Sequence, residues 1–493
     1  ELTQCIVAIP RNLWIGHPSS LHGLTHRSSY LYHMIQDTIV ALATGGTGAL
    51  SVIRISGPQA KAITQVHIRK DLGSIASHTV HFALFKAVPQ DFKSRGTALD
   101  QTPIDEVLIT YFEHGKSFTG EETIEIHCHG SSYIQQTIIQ SLINQGARLA
   151  TPGEFTQRAF INGKLDLSQA EAIADLIASQ SQQAHAMALN QLRGTFSHEL
   201  SALREKLIEF ASLIELELDF GEEDVAFADR SALIDLVQHV LAKVKRLINS
   251  FALGNAMKEG VPVAIVGAPN AGKSSLLNYL LGEERAIVSE MAGTTRDVIE
   301  ETLNIDGITF RLMDTAGIRE TEETIEAMGI ARSQEKIARA RVVLALSDVS
   351  NASQLEADRV WVDDLRARYP EKEILWVANK TDLHAVSLPV DYAISAVTGA
   401  GINALTHAMS ECIKQDFDVN QETIVSNVRH VEALEQTQTA LLAALNGLNH
   451  QLPADLVAMD IRSAMRSLGN ITGEIEMDTD ILGTIFSRFC IGK

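Results

Sequence analysis

Residues 263–274 are the clearest stretch of chemistry in the chain. Val263–Val266 reads as a short apolar strand, followed by Gly267-Ala-Pro-Asn270-Ala271-Gly272-Lys273-Ser274 and then a helix. This is a phosphate-cradling loop in the strand–loop–helix setting that it requires. Its glycines let backbone N–H groups close around a β-phosphate, and the N-terminus of the helix reinforces the hold. Lys273 is expected at the β- and γ-phosphate oxygens, and the Ser274 hydroxyl on Mg²⁺.

Three further motifs follow in order. Asp314-Thr315-Ala316-Gly317 comes after an expected strand at Thr309–Met313, so its carboxylate can hold the Mg²⁺ shell and the Gly317 N–H can sense a γ-phosphate. Between this and the first loop, Gly293-Thr294-Thr295-Arg296-Asp297 offers Thr295 as a second Mg²⁺ ligand, one that orders only with the γ-phosphate. Asn379-Lys380-Thr381-Asp382, after the strand Ile374–Ala378, selects the base. The Asp382 carboxylate can accept from guanine N1–H and the 2-amino group, where adenine would leave the charge unpaired. Lys380 packs along the base, and Ser395-Ala396 closes the site. The combination predicts a GTP-binding hydrolase. Ile318, after the Asp-Thr-Ala-Gly motif, stands where Ras-like GTPases carry a water-orienting glutamine, so another group must place the water. Arg296 and Arg319 read as surface arginines or as charge-supplying fingers. Asn270 offers an oxygen for a monovalent cation beside the phosphates.

The elements that must carry these motifs divide the chain into parts. Its 493 residues suit about three domains, and 45% apolar content is ample for several cores. No apolar run is long enough to cross a bilayer, so a soluble protein is expected. Cys5, Cys128, Cys412 and Cys490 are scattered without a CxxC pair, which argues against a disulfide framework or structural zinc. A net charge of −20 excludes holding nucleic acid through a general positive field. The expected natural start is Met34, with residues 1–36 outside the fold.

Strands are predicted at Thr38–Leu42, Leu50–Ser56, Asp105–Phe112 and Glu122–Cys128, with a helix at Gln135–Asn144, giving an α+β domain. Leu189, Leu192, Phe196, Leu200, Leu203, Leu207, Phe210 and Ile214 form one helical stripe, weakened at Gly194. A second helix is predicted over 231–251. After Gly260 the pattern becomes α/β with a mainly parallel sheet, and from Asn427 helices return through Leu434, Leu441, Leu445 and Leu448. The fold class is multidomain α/β plus all-α: a helical domain split in sequence by an inserted α/β domain.

Pro269-Asn270-Ala271, Ala292-Gly-Thr-Thr-Arg-Asp297 and the terminal Phe489-Cys490-Ile491-Gly492-Lys493 resemble the MnmE (TrmE) family of tRNA-modification GTPases. Arg54-Ile-Ser-Gly57, Phe118-Thr-Gly-Glu121, Pro152-Gly-Glu-Phe-Thr156 and Asn162-Gly-Lys-Leu-Asp166 extend the resemblance over about residues 37–493. It implies a folate-binding domain at 37–155, helical halves at 156–255 and 417–493, and a Ras-like P-loop G domain at 256–416, with 1–36 a non-family extension.

The resemblance also implies roles. Asn270, Ala271, Gly272, Lys273, Ser274 and Ser275 would bind nucleotide. Asn270 and the Ser289-Glu290-Met291-Ala292-Gly293-Thr294 loop would hold potassium, with Asn270, Ser289, Met291 and Thr294 as ligands. Glu326 would orient the attacking water through a second water, and the G domains would pair across their nucleotide faces in a homodimer. Arg54, Glu125, Lys164 and Lys493 match folate contacts, for 5-formyl- or 5,10-methylene-tetrahydrofolate, and Cys490 would be a functional thiol nearby. Glu125 shares a strand face with His127. The adjacent His127-Cys128-His129 alternate faces, which disfavours a metal. The loop Thr44–Gly48 is shorter than the family pattern and lacks a basic residue, and Gly130-Ser131 replaces a Gly-Gly. The implied function is cytoplasmic, with no membrane. With the FAD-dependent partner MnmG in a heterotetramer-type complex, the protein would install a carboxymethylaminomethyl-type group on wobble uridine-34 of certain tRNAs, with glycine or ammonium supplying nitrogen. The competing class is a ribosome-assembly switch, which would carry a basic RNA-binding appendage after the G domain; here that appendage is helical and not notably basic.

Overall fold

Alternating apolar residues build the first sheet. The computed structural model describes residues 37–45, 48–87, 103–219, 230–283, 301–313, 334–386, 388–415, 423–474 and 492. Two compact units divide the chain, Glu1–Leu165 with Glu476–Lys493, and Asp166–Ile475.

In the first unit, β1 (Ile39–Leu42), β2 (Leu50–Ser56), β3 (Val80–Lys86), β4 (Pro103–Phe112), β5 (Thr123–His129) and β6 (Arg148–Leu149) form one sheet in the order β3-β4-β5-β2-β1-β6. All described pairings are antiparallel except β1 with β6. One face buries Ile53, Ile55, Ile109, Ile124, Ile126 and Cys128 against α1 (Ala60–His67) and α2 (Ser132–Asn144), through Ile63, Ile138 and Leu142. Burial pushes the Cys128 thiol up to about 11. The opposite face carries Arg54 and Glu125, directly opposite one another across β2 and β5. The strand pattern did not reveal β3. Val80, Phe82 and Leu84 face outward while Ala83 and Phe85 face the core, so apolar residues on both faces erase the two-residue period. A third α-helix, α3 (Glu154–Ile161), follows β6 in this unit.

The second unit opens with α4 (Leu167–Ala178), α5 (Gln182–Leu192), α6 (Thr195–Asp219), α7 (Arg230–Asn249) and α8 (Phe251–Glu259). Asp166 and Gln169 form a reciprocal capping box at the start of α4. The single expected stripe is in fact two helices. Gly194, at φ 84, ends α5 before α6 begins, and α5 buries Ala184, Ala188 and Gln191 while Leu189 and Leu192 stay half-buried. From Phe196 onward the stripe holds, through Leu200, Leu203, Leu207, Phe210 and Ile214.

An α/β segment follows: β7 (Val261–Gly267), α9 (Lys273–Glu283), β8 (Glu301–Ile305), β9 (Ile308–Leu312), β10 (Val342–Asp348), α10 (Ala352–Arg368), β11 (Glu373–Asn379), β12 (Tyr392–Ala393) and α11 (Ile402–Gln415). Its sheet runs β12-β11-β10-β7-β9-β8, parallel except for the β8–β9 hairpin. Strands β7 and β10 are buried on both faces, and their unbroken apolar runs suit a covered parallel sheet.

The chain then returns to helices α12 (Val428–Asn449) and α13 (Ala454–Thr472). Leu434, Leu441, Leu448, Ile461 and Leu468 share one core with the α6 stripe and with Val237, Val240 and Val244 of α7. The helical stretches on either side of the α/β segment therefore pack as one body. At the return, Arg429 Nε and Nη2 donate to the Glu171 carboxylate at 2.8 and 2.9 Å, and its Nη1 donates to Asn470 O at 2.7 Å. Burial works to raise the Glu171 pKa, but His430 and Arg429 outweigh it and hold Glu171 far below the usual carboxylate range. Among the described residues, no helix is long and apolar enough to cross a membrane.

Candidate functional site

Ligands of open parallel sheets bind beyond the carboxyl ends of the strands. At that edge the loop after β7 meets the loops after β11 and β12. Asn379, the last residue of β11, is buried and joins them: its Nδ2 donates to Ala271 O at 2.9 Å, and its Oδ1 accepts from the Ala396 N–H at 3.0 Å. One side chain thus fixes the phosphate loop against both base-side loops. Gly272 is required beneath it, because at φ 94 a Cβ there would overlap the Asn379 amide nitrogen.

Lys380 is held at φ 68, and its Nζ donates to Asp348 Oδ2 at 2.5 Å, at the end of β10. Ser395 is buried, and its Oγ donates to Asp382 Oδ1 at 2.5 Å, which orients the carboxylate that would read a guanine edge. Lys273 Nζ lies along its own loop, donating to Gly267 O at 3.0 Å and Ala268 O at 2.8 Å. Burial, then the nearby Lys336 charge, lowers its pKa. A phosphate oxygen can replace those two carbonyls with a charge-assisted bond. Ser274 and Ser275 lie exposed in the first turn of α9. Asn270 is exposed on the loop at φ 63. Non-glycine residues in this conformation carry strain that persists where a site needs it, and Asn270 and Lys380 are two of them.

Sequence reading missed Asp348. It lies 32 residues from Lys380, and only its place at the end of the apolar run of β10 hinted at it. Ser289, Glu290, Met291, Ala292, Gly293, Thr294, Thr295, Asp314, Thr315, Ala316, Gly317, Glu326, Cys490 and Lys493 lie outside the described residues, as do Arg296, Ile318 and Arg319.

A second cluster lies in the first unit. Arg54 Nε and Nη2 donate to Glu125 Oε1 at 2.9 and 2.7 Å, and Arg54 Nη1 donates to Gly492 O at 3.3 Å. Gly492 therefore lies beside the Arg54–Glu125 pair. Lys164 Nζ donates to Gly115 O at 2.9 Å, in the loop joining β4 and β5. His127 shares the outer face with Glu125, its Nε2 at 3.4 Å from Thr110 Oγ1.

A phosphate loop stapled to an Asn-Lys-Thr-Asp base loop at the carboxyl edge of a parallel sheet defines a P-loop GTPase. The family model for the GTP-binding protein TrmE N-terminus matches residues 38–164, and that for the MnmE helical domain matches residues 167–490. The chain belongs to the MnmE family of tRNA modification GTPases. The tRNA modification GTPase MnmE of Christiangramia forsetii is 48% identical, covering 93% of this chain and 100% of its own. That of Cytophaga hutchinsonii is 49% identical, covering 93% and 98%, and that of Bacteroides fragilis is 46% identical, covering 93% and 100%. Among solved structures, the G domain of the T. maritima FeoB iron transporter is 26% identical over 31% of this chain and 97% of its own, with a TM-score of 0.22.

Proposed function

We propose that this chain hydrolyses GTP with potassium assistance and, with the FAD-dependent partner MnmG, modifies C5 of the wobble uridine in certain tRNAs, drawing a one-carbon unit from folate. The observation that carries the reading is the pairing, in one chain, of a guanine-type nucleotide site with the Arg54–Glu125–Gly492 cluster. Family membership favours this enzyme over a ribosome-assembly switch. Within this reading, domains span 37–155, 156–255, 256–416 and 417–493, and the protein acts in the cytoplasm as a homodimer.

Asn379 sets the phosphate loop, Lys273 exchanges its loop carbonyls for phosphate oxygens, and Asp382 accepts from the guanine edge. Bound Mg²⁺ and K⁺ would neutralise charge developing on the phosphates. The exposed Ser274 hydroxyl and Asn270 amide fit as one ligand to each. Thr295, Asp314 and Glu326 are assigned the remaining roles, with Glu326 orienting water in place of a glutamine. Arg54, Glu125, Lys164 and Lys493 hold the folate, beside a functional Cys490 thiol.

Mass spectrometry of wobble uridines from cells lacking the gene is expected to show the modification lost, and restored by the intact chain. Normal modification in its absence would overturn the reading. The cation is tested separately. GTP turnover is expected to be at least about tenfold faster in potassium than in sodium at matched ionic strength, the scale of about 1.4 kcal/mol off the barrier. Equal rates would remove potassium from the mechanism.

A further inference from the structure

The loop between β4 and β5, residues 113–122, reverses the usual sorting of side chains. Ser117 and Thr119 are buried, while Phe118 between them is 36% exposed. Turning hydroxyls in and a ring out forfeits apolar burial, and local reversals of this kind are expected at functional sites. The loop is tightly held. Ser117 Oγ donates to Glu121 O at 2.5 Å, Thr119 Oγ1 lies 2.7 Å from Ser56 Oγ, and the Gly115 N–H donates to Gly120 O at 2.8 Å. From the following segment, Asn162 Nδ2 donates to Thr119 O at 2.7 Å and Lys164 Nζ to Gly115 O at 2.9 Å. Gly120, at φ 80, lets the Lys164 stem lie against the loop, since a Cβ there would come within 3.2 Å of its Cγ.

Phe118 therefore stands where a rigid loop places it, its ring centroid 5.6 Å from Arg54 Cζ. The fully buried ring of Phe155 lies 5.7 Å from the same atom. Two rings and the Glu125 carboxylate fix the guanidinium; of the two rings only Phe118 keeps a solvent-facing share, and the Glu125 side chain is partly exposed beside it. An exposed ring held rigidly beside a cation and a carboxylate is suited to a flat heterocycle with a donor edge.

We infer that Phe118 is a specificity-determining residue of this pocket: the flat pyrimidinone ring of a reduced pterin stacks on it while Glu125 accepts from the pterin's donor edge. This rests on the folate reading above. A pterin presents its N3–H and 2-amino donors side by side, a pair that one carboxylate can accept. Uracil offers a single N3–H between two carbonyls and is the poorer match; guanine presents the same donor pair as the pterin, and the tRNA arm of the test below tells the two apart.

The test is equilibrium dialysis of the full-length protein with 5-formyl-tetrahydrofolate. Phe118→Leu is expected to weaken binding about tenfold, the scale of one aromatic stacking contact, with thermal unfolding unchanged. Phe118→Tyr is expected to keep wild-type affinity, and the added indole of Phe118→Trp to be quenched as folate binds. Unchanged affinity in Phe118→Leu, with affinity lost in Arg54→Ala, would overturn this inference and leave the folate reading standing. No binding by the wild type would remove both. If Phe118→Leu loses tRNA and keeps folate, the ring serves an RNA base and the inference fails.

Discussion

Replacing Asp382 with asparagine is expected to weaken GTP binding by roughly a hundred- to a thousandfold and to let xanthosine triphosphate compete. The carboxylate is positioned before any base arrives, by the Ser395 hydroxyl at 2.5 Å, whose residue follows β12 and is fully buried. Guanine offers it two donors. Hydrogen bonds to a charged group contribute about 1.5–3 kcal/mol each, and the amide introduced by Asp382→Asn would also point N–H groups at a guanine donor. Xanthine carries a carbonyl where guanine carries its amino group, so the same amide meets an acceptor. Calorimetric titration of both nucleotides against wild type and Asp382→Asn reads the exchange. An unchanged GTP affinity would place base recognition elsewhere. Ser395→Ala, which removes only the orienting bond, is expected to cost less than Asp382→Asn.

How much of this was legible in sequence depends on how far apart the cooperating residues lie. The phosphate loop is contiguous, so its geometry is written in adjacent letters, and the strand before it and helix after it were readable from hydrophobic pattern. The Asn-Lys-Thr-Asp motif is likewise local. Its support is not: Lys380 depends on Asp348, and Asn379 reaches 108 residues back to Ala271. Nothing in spacing reveals such contacts; they exist because β7, β10 and β11 are neighbours in a parallel sheet. Arg54 and Glu125 stand 71 positions apart and meet only through the register of β2 on β5, so resemblance supplied them where pattern could not. Phe118 sat inside a recognised motif, yet its exposure follows from hydroxyl bonds that only the folded loop makes. At Gly194 the apolar spacing ran on across a break that the backbone imposes.

The second large effect belongs to Arg158. Its side chain is 1% exposed, and it binds three carboxylates: Nη2 donates to Asp37 Oδ1 at 2.5 Å and Glu154 Oε1 at 3.0 Å, while Nη1 reaches Glu121 Oε1 at 3.1 Å. Nη1 also donates to the Asp37 carbonyl at 2.9 Å. Glu154 is fully enclosed; burial works against its ionised form, but Arg148, the Thr151 N–H and Arg158 outweigh it and lower the pKa. For Glu121, burial prevails and raises the pKa, although Arg158 and Ser56 oppose it. Arg158→Ala would leave these acids without their shared cation. Removing one partner of a buried ion cluster typically costs about 3–5 kcal/mol, because the remaining charges stay desolvated. The first unit is expected to unfold roughly 10–20 °C lower, read as an early separate transition by calorimetry. Pairing Arg158→Ala with Glu121→Gln should recover part of the loss, since one fewer charge is then stranded; no recovery would mean that packing of the arginine stem, not charge, is what the site needs. Glu121 closes the loop that carries Phe118, and Glu154 precedes Phe155. The cation buried behind the sheet edge thus sets the rigidity of the two rings beside Arg54, so a drop in folate affinity should accompany the lost stability in Arg158→Ala and return with it in the double variant.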